Sequence, residues 1–250
     1  MRHALACTWT ARVEGVHPLI PDGCLEVVWT DDGRCWVCGP ETVGWSVPMA
    51  PGTTCVGVRF RPGAGGPALG LNVAELTNGR FDLADVVGAG PGRRLAERLA
   101  DAADDDQRRA VLEAAAGRWA EPLSADDVTR SVADALAVRP LSVGQLAEEA
   151  TLSTRQLHRR CVAGFGYGPS TLGRILRFQR FLALAARHRW ASAADLASSA
   201  GYADQSHLGR DSRALCGRAP SQVVACLAAT SFDVRSVLAP PAGLLAASGA

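Results

Sequence analysis

The spacing of apolar residues changes partway along the chain. Leu25-Glu26-Val27-Val28-Trp29 and Arg34-Cys35-Trp36-Val37 flank Asp31-Asp32-Gly33. Two β-rich runs around an Asp-Gly pair predict a hairpin. Thr53 to Phe60 alternates as a further strand, stopped by Pro62-Gly63. Several short strands with Gly/Pro turns, up to about residue 61, predict a small barrel or sandwich. From Pro67 the period turns helical. Arg93 to Ala116 has Leu95, Leu99, Val111 and Leu112, with a break near Asp104-Asp105-Asp106, and predicts two amphipathic helices. Glu121-Pro122 marks a domain boundary. Ser124 is placed to cap the next helix, with Asp126 and Asp127 in its positive first turn. Val128, Val132 and Leu136 follow at i, i+4 and i+8, and Pro140 ends the helix. The chain then reads as helical to about Ala228. Ser231 to Ala250, with Pro240-Pro241, reads as a frayed tail.

Within the helical half one pattern occurs twice. Ser142-x-x-Gln145 and Ser153-x-x-Gln156 are capping boxes that open two short helices, with Thr151-Leu152 as the turn. Ser192-x-x-Asp195 and Asp204 open a second such pair, with Gly201 at the turn, where a positive φ needs glycine. Leu157 and Leu208 lie 51 residues apart, as do Arg159 and Arg210. Matched core leucines and matched outward arginines in an Arg-bearing second helix predict two helix-turn-helix units. A helix from about Pro169 to Arg187 joins them. Leu172, Ile175, Leu176 and Leu182 form its inner stripe, and Arg174, Arg177 and Arg180 lie off that stripe.

Charge sharpens this reading. The chain has 250 residues and a net charge of +1, and all 26 basic residues are arginine. Residues 1–130 carry a net of −5 and residues 131–250 a net of +6, with +8 concentrated in 154–218. Such asymmetry points to nucleic acid on the basic side. An ordinary apolar content of 48% excludes a disordered or fibrous chain. No apolar run spans a bilayer, and the first 16 residues lack a signal-peptide core, so a cytoplasmic protein without a membrane partner is expected. The eight cysteines are then expected as thiols or ligands. No catalytic constellation stands out, and without lysine there is no Walker phosphate loop. A non-enzyme is expected.

Gly201-Tyr202-x-Asp204-Gln205-Ser206-His207-Leu208-x-Arg210, followed by Gly217-x-x-Pro220, closely resembles the C-terminal signature of AraC/XylS-type transcription regulators. Residues 125–226 resemble that module throughout. Cys161, Ser212 and Leu208 depart from the aromatics usual there, and Thr151 replaces a turn glycine; these departures imply looser packing. The resemblance implies two reading heads in adjacent major grooves of double-stranded DNA, about 10 bp apart. It places Arg155, His158 and Arg159 of the first head, and Ser206, His207 and Arg210 of the second, at base-facing positions. Gln205 would touch a base or phosphate, while Arg174, Arg177 and Arg218 would neutralise phosphates. RNA polymerase contact, activation of transcription and a homodimer are further implications, with the helices at 91–118 as the dimer contact.

Pro21-Asp22-Gly23-Cys24, Gly39-Pro40 and Arg59-Phe60-Arg61-Pro62-Gly63 resemble an uncharacterised, cupin-like N-terminal domain often fused to that module. The expected fold is therefore α+β: a small N-terminal β-barrel with helices, then an all-α C-terminal domain with two helix-turn-helix units and a linker helix. Residues 1–121 would sense a ligand and dimerise, 122–228 would bind DNA, and 229–250 would be a flexible tail. Trp9, Trp29, Trp36 and Trp45 are candidates to line a pocket for an unknown small-molecule effector, or else are plain core. The alternative is a cysteine sensor of metal, oxidant or electrophile built on Cys24, Cys35, Cys38 and Cys55. Cys35-x-x-Cys38 has half of a zinc-knuckle spacing, yet i and i+3 on a strand face opposite ways. No cofactor is expected, zinc being the one candidate.

Overall fold

The computed structural model describes residues 4–13, 17–47, 49–121, 128–188 and 191–229. Its N-terminal half holds a five-stranded antiparallel sheet of β1 (Leu5–Arg12), β6 (Thr54–Phe60), β3 (Leu25–Thr30), β4 (Cys35–Cys38) and β7 (Arg80–Asp82), in that spatial order. β2 (His17–Leu19) and β5 (Trp45–Val47) form a separate two-stranded sheet. The predicted hairpin is β3–β4, turned by Gly33 at φ 85°. Helices follow: α1 (Gly65–Leu69), a 3-10 turn (Val73–Glu75), α2 (Leu83–Val87), α3 (Ala89–Ala100) and α4 (Asp105–Ala120). The break between α3 and α4 falls at the aspartates because Asp104 caps α4 by accepting from the N–H of Gln107 at 2.8 Å.

Strand alternation gives the large sheet two unlike faces. On one, Val27, Trp29, Val37, Val56, Val58 and Phe60 pack against Leu95, Leu99 and Leu112 of α3 and α4. On the other, the strand register lines up Cys7, Arg59, Glu26, Cys38 and Arg80 in one row across the strands. The next row is Trp9, Gly57, Val28, Trp36 and Asp82. Glycine is required at 57, since a Cβ there would stand 2.3 Å from the Trp9 ring.

The polar row holds buried charges. Arg59 places Nη1 3.1 Å from Asp22 and donates through Nε to Glu26, while Arg80 pairs with Glu41. Burial outweighs the guanidinium and raises the Glu26 carboxyl above its ordinary range, and the nearby Asp22 pushes the same way.

The second half consists of α5 (Val128–Val138), α6 (Val143–Glu149), α7 (Thr154–Phe165), α8 (Pro169–Arg187), α9 (Ala193–Ser199), α10 (Gln205–Cys216) and α11 (Pro220–Ala229). One apolar cluster runs through them, with Leu157, Leu172, Ile175, Phe178, Leu208 and Leu215 fully buried. The proposed Ser124 cap and most of the tail lie outside the described residues. Among the described helices none is long and apolar enough to cross a membrane.

Hydrogen bonds join the halves at several points. Gln179 Nε2 donates to the Pro21 carbonyl at 2.7 Å, Thr77 Oγ1 donates to the Gly166 carbonyl at 3.3 Å, and the Gly44 N–H donates to the Leu215 carbonyl. They reach α8, the end of α7 and the end of α10, so the N-terminal half touches both helix-turn-helix units.

Candidate nucleic-acid interface

The two units are built alike. α6 and α9 start 50 residues apart, whereas α7 and α10 start 51 apart, so the second turn is one residue longer. Each first helix closes with the same bond, Leu152 N–H to Ala147 O at 2.8 Å and Tyr202 N–H to Ala197 O at 2.9 Å. Ser142 and Ser153 form the reciprocal capping boxes, and Ser192 and Asp204 cap α9 and α10. The residue that enters the left-handed region is Gly201 at φ 89° in the second unit and Thr151 at φ 55° in the first. A β-branched residue is strained there. Thr151→Gly is therefore expected to raise the unfolding free energy by about 1 kcal/mol, read from urea midpoints. An unchanged or lower midpoint would show that the strain is small.

Each second helix buries one stripe and presents another. On α7, Leu157, Cys161 and Phe165 are buried while Arg155, His158 and Arg159 are exposed. On α10, Leu208, Ser212 and Leu215 are buried while Gln205, Ser206 and Arg210 are exposed. Ser212, where an aromatic is usual in the resembled family, is fully buried and donates to the Arg218 carbonyl at 2.8 Å. That bond lets a small polar residue stand in the core. Arg218 itself is exposed.

Several candidate side chains have partners within the chain. His158 lies over Gly168, where a Cβ would stand 2.8 Å from its Nε2. His207 meets the Tyr202 ring edge-on at 5.0 Å and has Nε2 3.9 Å from Asp211. Arg177 donates to the same Asp211 oxygen at 3.0 Å and sits over the Tyr202 ring at 4.9 Å. Its charge is thus already matched within the protein. Arg174 is half-buried and, among the described residues, has no ion-pair partner.

Arg180 and Asp211 had no assigned role in the sequence reading, and both hold the units together. Arg180 donates to Leu136 O, Ala137 O and Ala200 O at 3.0, 2.7 and 3.1 Å. One guanidinium thereby ties the ends of α5 and α9 to α8. Its place off the apolar stripe of α8 was the available sequence signal, but its acceptors lie 20 to 44 residues away.

The N-terminal candidates do not converge. Trp9 and Trp36 share one face of the large sheet, whereas Trp29 faces the helices and lies under the Arg108 guanidinium at 4.9 Å. The Trp45 side chain lies outside the described residues. Strand alternation sends Trp29 away from Trp9 and Trp36, so these three do not line one pocket. Cys35 likewise faces the helix side, and Cys38 and Cys55 face the other. The Cys35/Cys38 chelate fails for the reason that made it doubtful on a strand. Among the described residues no group of three or more His, Cys, Asp or Glu is placed to hold a metal ion.

Burial pushes the Cys35, Cys38 and Cys55 thiols up to about 12, and Cys24 is also raised well above the usual thiol range by burial. This disfavours the thiolate that a nucleophilic sensor needs. Cys35, Cys38 and Cys55 should therefore add little thiolate absorbance in the folded protein from about pH 9, where unfolded thiols ionise, up to about pH 12. Because the folded values are raised, the linked stability is present below pH 9 and is lost as pH rises through that window. Thiolate absorbance at pH 10 that does not drop when Cys35, Cys38 and Cys55 of the folded protein are replaced by serine would agree with this, and a large drop would contradict it.

Residues 146–225 match a family described as a helix-turn-helix domain, and residues 1–82 match a domain of unknown function (DUF6597). Comparison with curated protein sequences finds no match. Two crystal structures of ToxT from Vibrio cholerae, one of them an apo variant, resemble the chain with TM-scores of 0.50 at 10% identity. The likeness covers 89% and 88% of this chain and 98% and 97% of the ToxT chains. At that identity it shows a common fold, an N-terminal antiparallel sheet domain followed by helix-turn-helix units.

Proposed function

We propose that this chain, a DNA-binding transcription regulator of the AraC/XylS type with a DUF6597 domain at its amino end, reads two consecutive major grooves of double-stranded DNA. The observation behind this is the pair of matched units on one shared core, each presenting exposed arginine from its second helix. Arg155 and Arg159 on α7 and Arg210 on α10 are the principal base readers, through bidentate contacts to guanine. His158, Gln205, Ser206 and His207 flank them, and Arg174 and Arg218 meet phosphate. Arg177 acts in this reading through Asp211, holding α10 against α8.

Residues 1–121 form the controlling domain, sensing a small molecule and supporting a homodimer. Residues 122–228 form the DNA-binding domain. Family resemblance supports activation through RNA polymerase in the cytoplasm. Transmission to the reading units runs through the contacts of Gln179, Thr77 and Gly44 that join the halves.

The test is selection of bound duplexes from a random pool by the purified, reduced protein. The expected motif has two blocks about 10 bp apart. Arg159→Ala and Arg210→Ala should each weaken the selected site by about 1–3 kcal/mol and relax preference at one base position. If both variants lose affinity equally for every duplex, the assignment of base readers is wrong.

A further inference from the structure

We infer that the cleft enclosed by α5, α6 and α8 is a binding site for a phosphate-class oxyanion. The cleft has a volume of about 310 Å³. Ser142 and Leu141 form one wall, and Ser170, Arg174 and Arg177 form the other, with Arg180 at its end. The three arginines stand at i, i+3 and i+6 on α8, so they share one side of the helix.

Two of the three have no carboxylate partner among the described residues. Asp211 pairs with Arg177, but the three acceptors of Arg180 are neutral carbonyls, and no carboxylate among the described residues pairs with Arg174. A half-buried guanidinium with no carboxylate beside it attracts an anion, and an oxyanion in the cleft supplies the charge that Arg174 lacks.

The helix adds to the field. α8 has 19 residues, starts at Gly168 without a side-chain cap, and has Pro169 in its first turn. Its positive end opens beside Ser170 at the rim of the cleft. α7 and α10 start instead on the side chains of Ser153 and Asp204, which occupy their first N–H groups.

The oxyanion has two possible sources. One is a backbone phosphate of DNA between the two reading blocks, since the first helix of such a unit crosses the backbone; this source rests on the DNA-binding reading above. The other is a free phosphate-bearing solute. Two measurements on the full chain separate them. The first titrates inorganic phosphate at constant ionic strength into wild-type protein without DNA, following the arginine Nε–Hε resonances. The second compares ethylation interference and the salt dependence of binding on the selected duplex for wild type and Arg174→Gln, with Arg187→Gln as a control of equal charge change.

A DNA phosphate in the cleft predicts that Arg174→Gln loses interference at one phosphate between the blocks. The salt slope should fall by about one, and Arg187→Gln should leave the interference pattern intact. A free anion predicts that phosphate shifts the Arg174 and Arg180 resonances, with at least a tenfold weaker shift of the Arg180 resonance in Arg174→Gln, while the interference pattern is the same in both proteins. If phosphate shifts no cleft arginine and the interference pattern is unchanged in Arg174→Gln, the inference is overturned. Failure of the wild type to select any two-block motif would overturn the DNA reading instead, and the phosphate titration would still decide the site.

Discussion

Arg59→Met is expected to lower the unfolding free energy by about 3–5 kcal/mol, measured by urea denaturation at neutral pH. Arg59 is the shared partner of Asp22 and Glu26, and its side chain is 8% exposed. Removing it leaves two carboxylates facing each other in the sheet interior. Their charges, more than the lost packing, set the size of the effect. Adding Asp22→Asn and Glu26→Gln to Arg59→Met should therefore recover most of the loss. Acid should do the same. The folded Glu26 carboxyl already lies above its ordinary range, so the folded state takes up its proton before the unfolded state does. The deficit of the single variant should be largest above that folded value and shrink as pH falls through it. A triple variant no more stable than the single one would mean that packing, not charge, dominates.

The second large effect is at Arg180. Its three hydrogen bonds fasten the ends of α5 and α9 to α8. Arg180→Met leaves three carbonyls without their donor, and a loss of about 2–3 kcal/mol is expected. The functional readout is more telling. With that tie removed, the second unit keeps the apolar core and the contacts of Arg177 with Asp211 and Tyr202. The variant should then accept duplexes whose two blocks are one base pair closer or farther apart with a smaller penalty than wild type. Loss of stability with unchanged spacing preference would mean that Arg180 does not set the separation of the units.

Local features were legible in the sequence. Hairpin β3–β4, the break at Asp104, the capping boxes of Ser142 and Ser153 and the turn at Gly201 each depend on a few neighbouring residues. Side-chain alternation also foretold that Cys35 and Cys38 would part. The same rule was not applied to the tryptophans, and Trp29 went to the helix face for that reason. The interior salt links were harder. Glu26 and Arg59 interrupt apolar strand runs, which is a signal, but their partnership depends on a strand register spanning 33 residues. The pairing of Arg177 depends on Asp211, 34 residues away on another helix. No local pattern encodes such pairs; they follow only once the helices are packed.

The crowded attachments of α8 limit how this protein can change. Its buried stripe includes Leu172, Ile175, Phe178 and Leu182, while Arg177 reaches α10, Gln179 reaches Pro21, and Arg180 reaches α5 and α9. A single inserted residue in its middle would turn everything beyond it by about 100° and shift it by about 1.5 Å, detaching several of these partners together. Among the described residues, the exposed Arg155, Arg159 and Arg210 of α7 and α10 have no comparable ties. Those positions are interchangeable fittings on a chassis of fixed length. Under the proposed reading, new operator preferences are reachable by point substitution on α7 and α10, whereas an insertion or deletion within α8 breaks several ties at once.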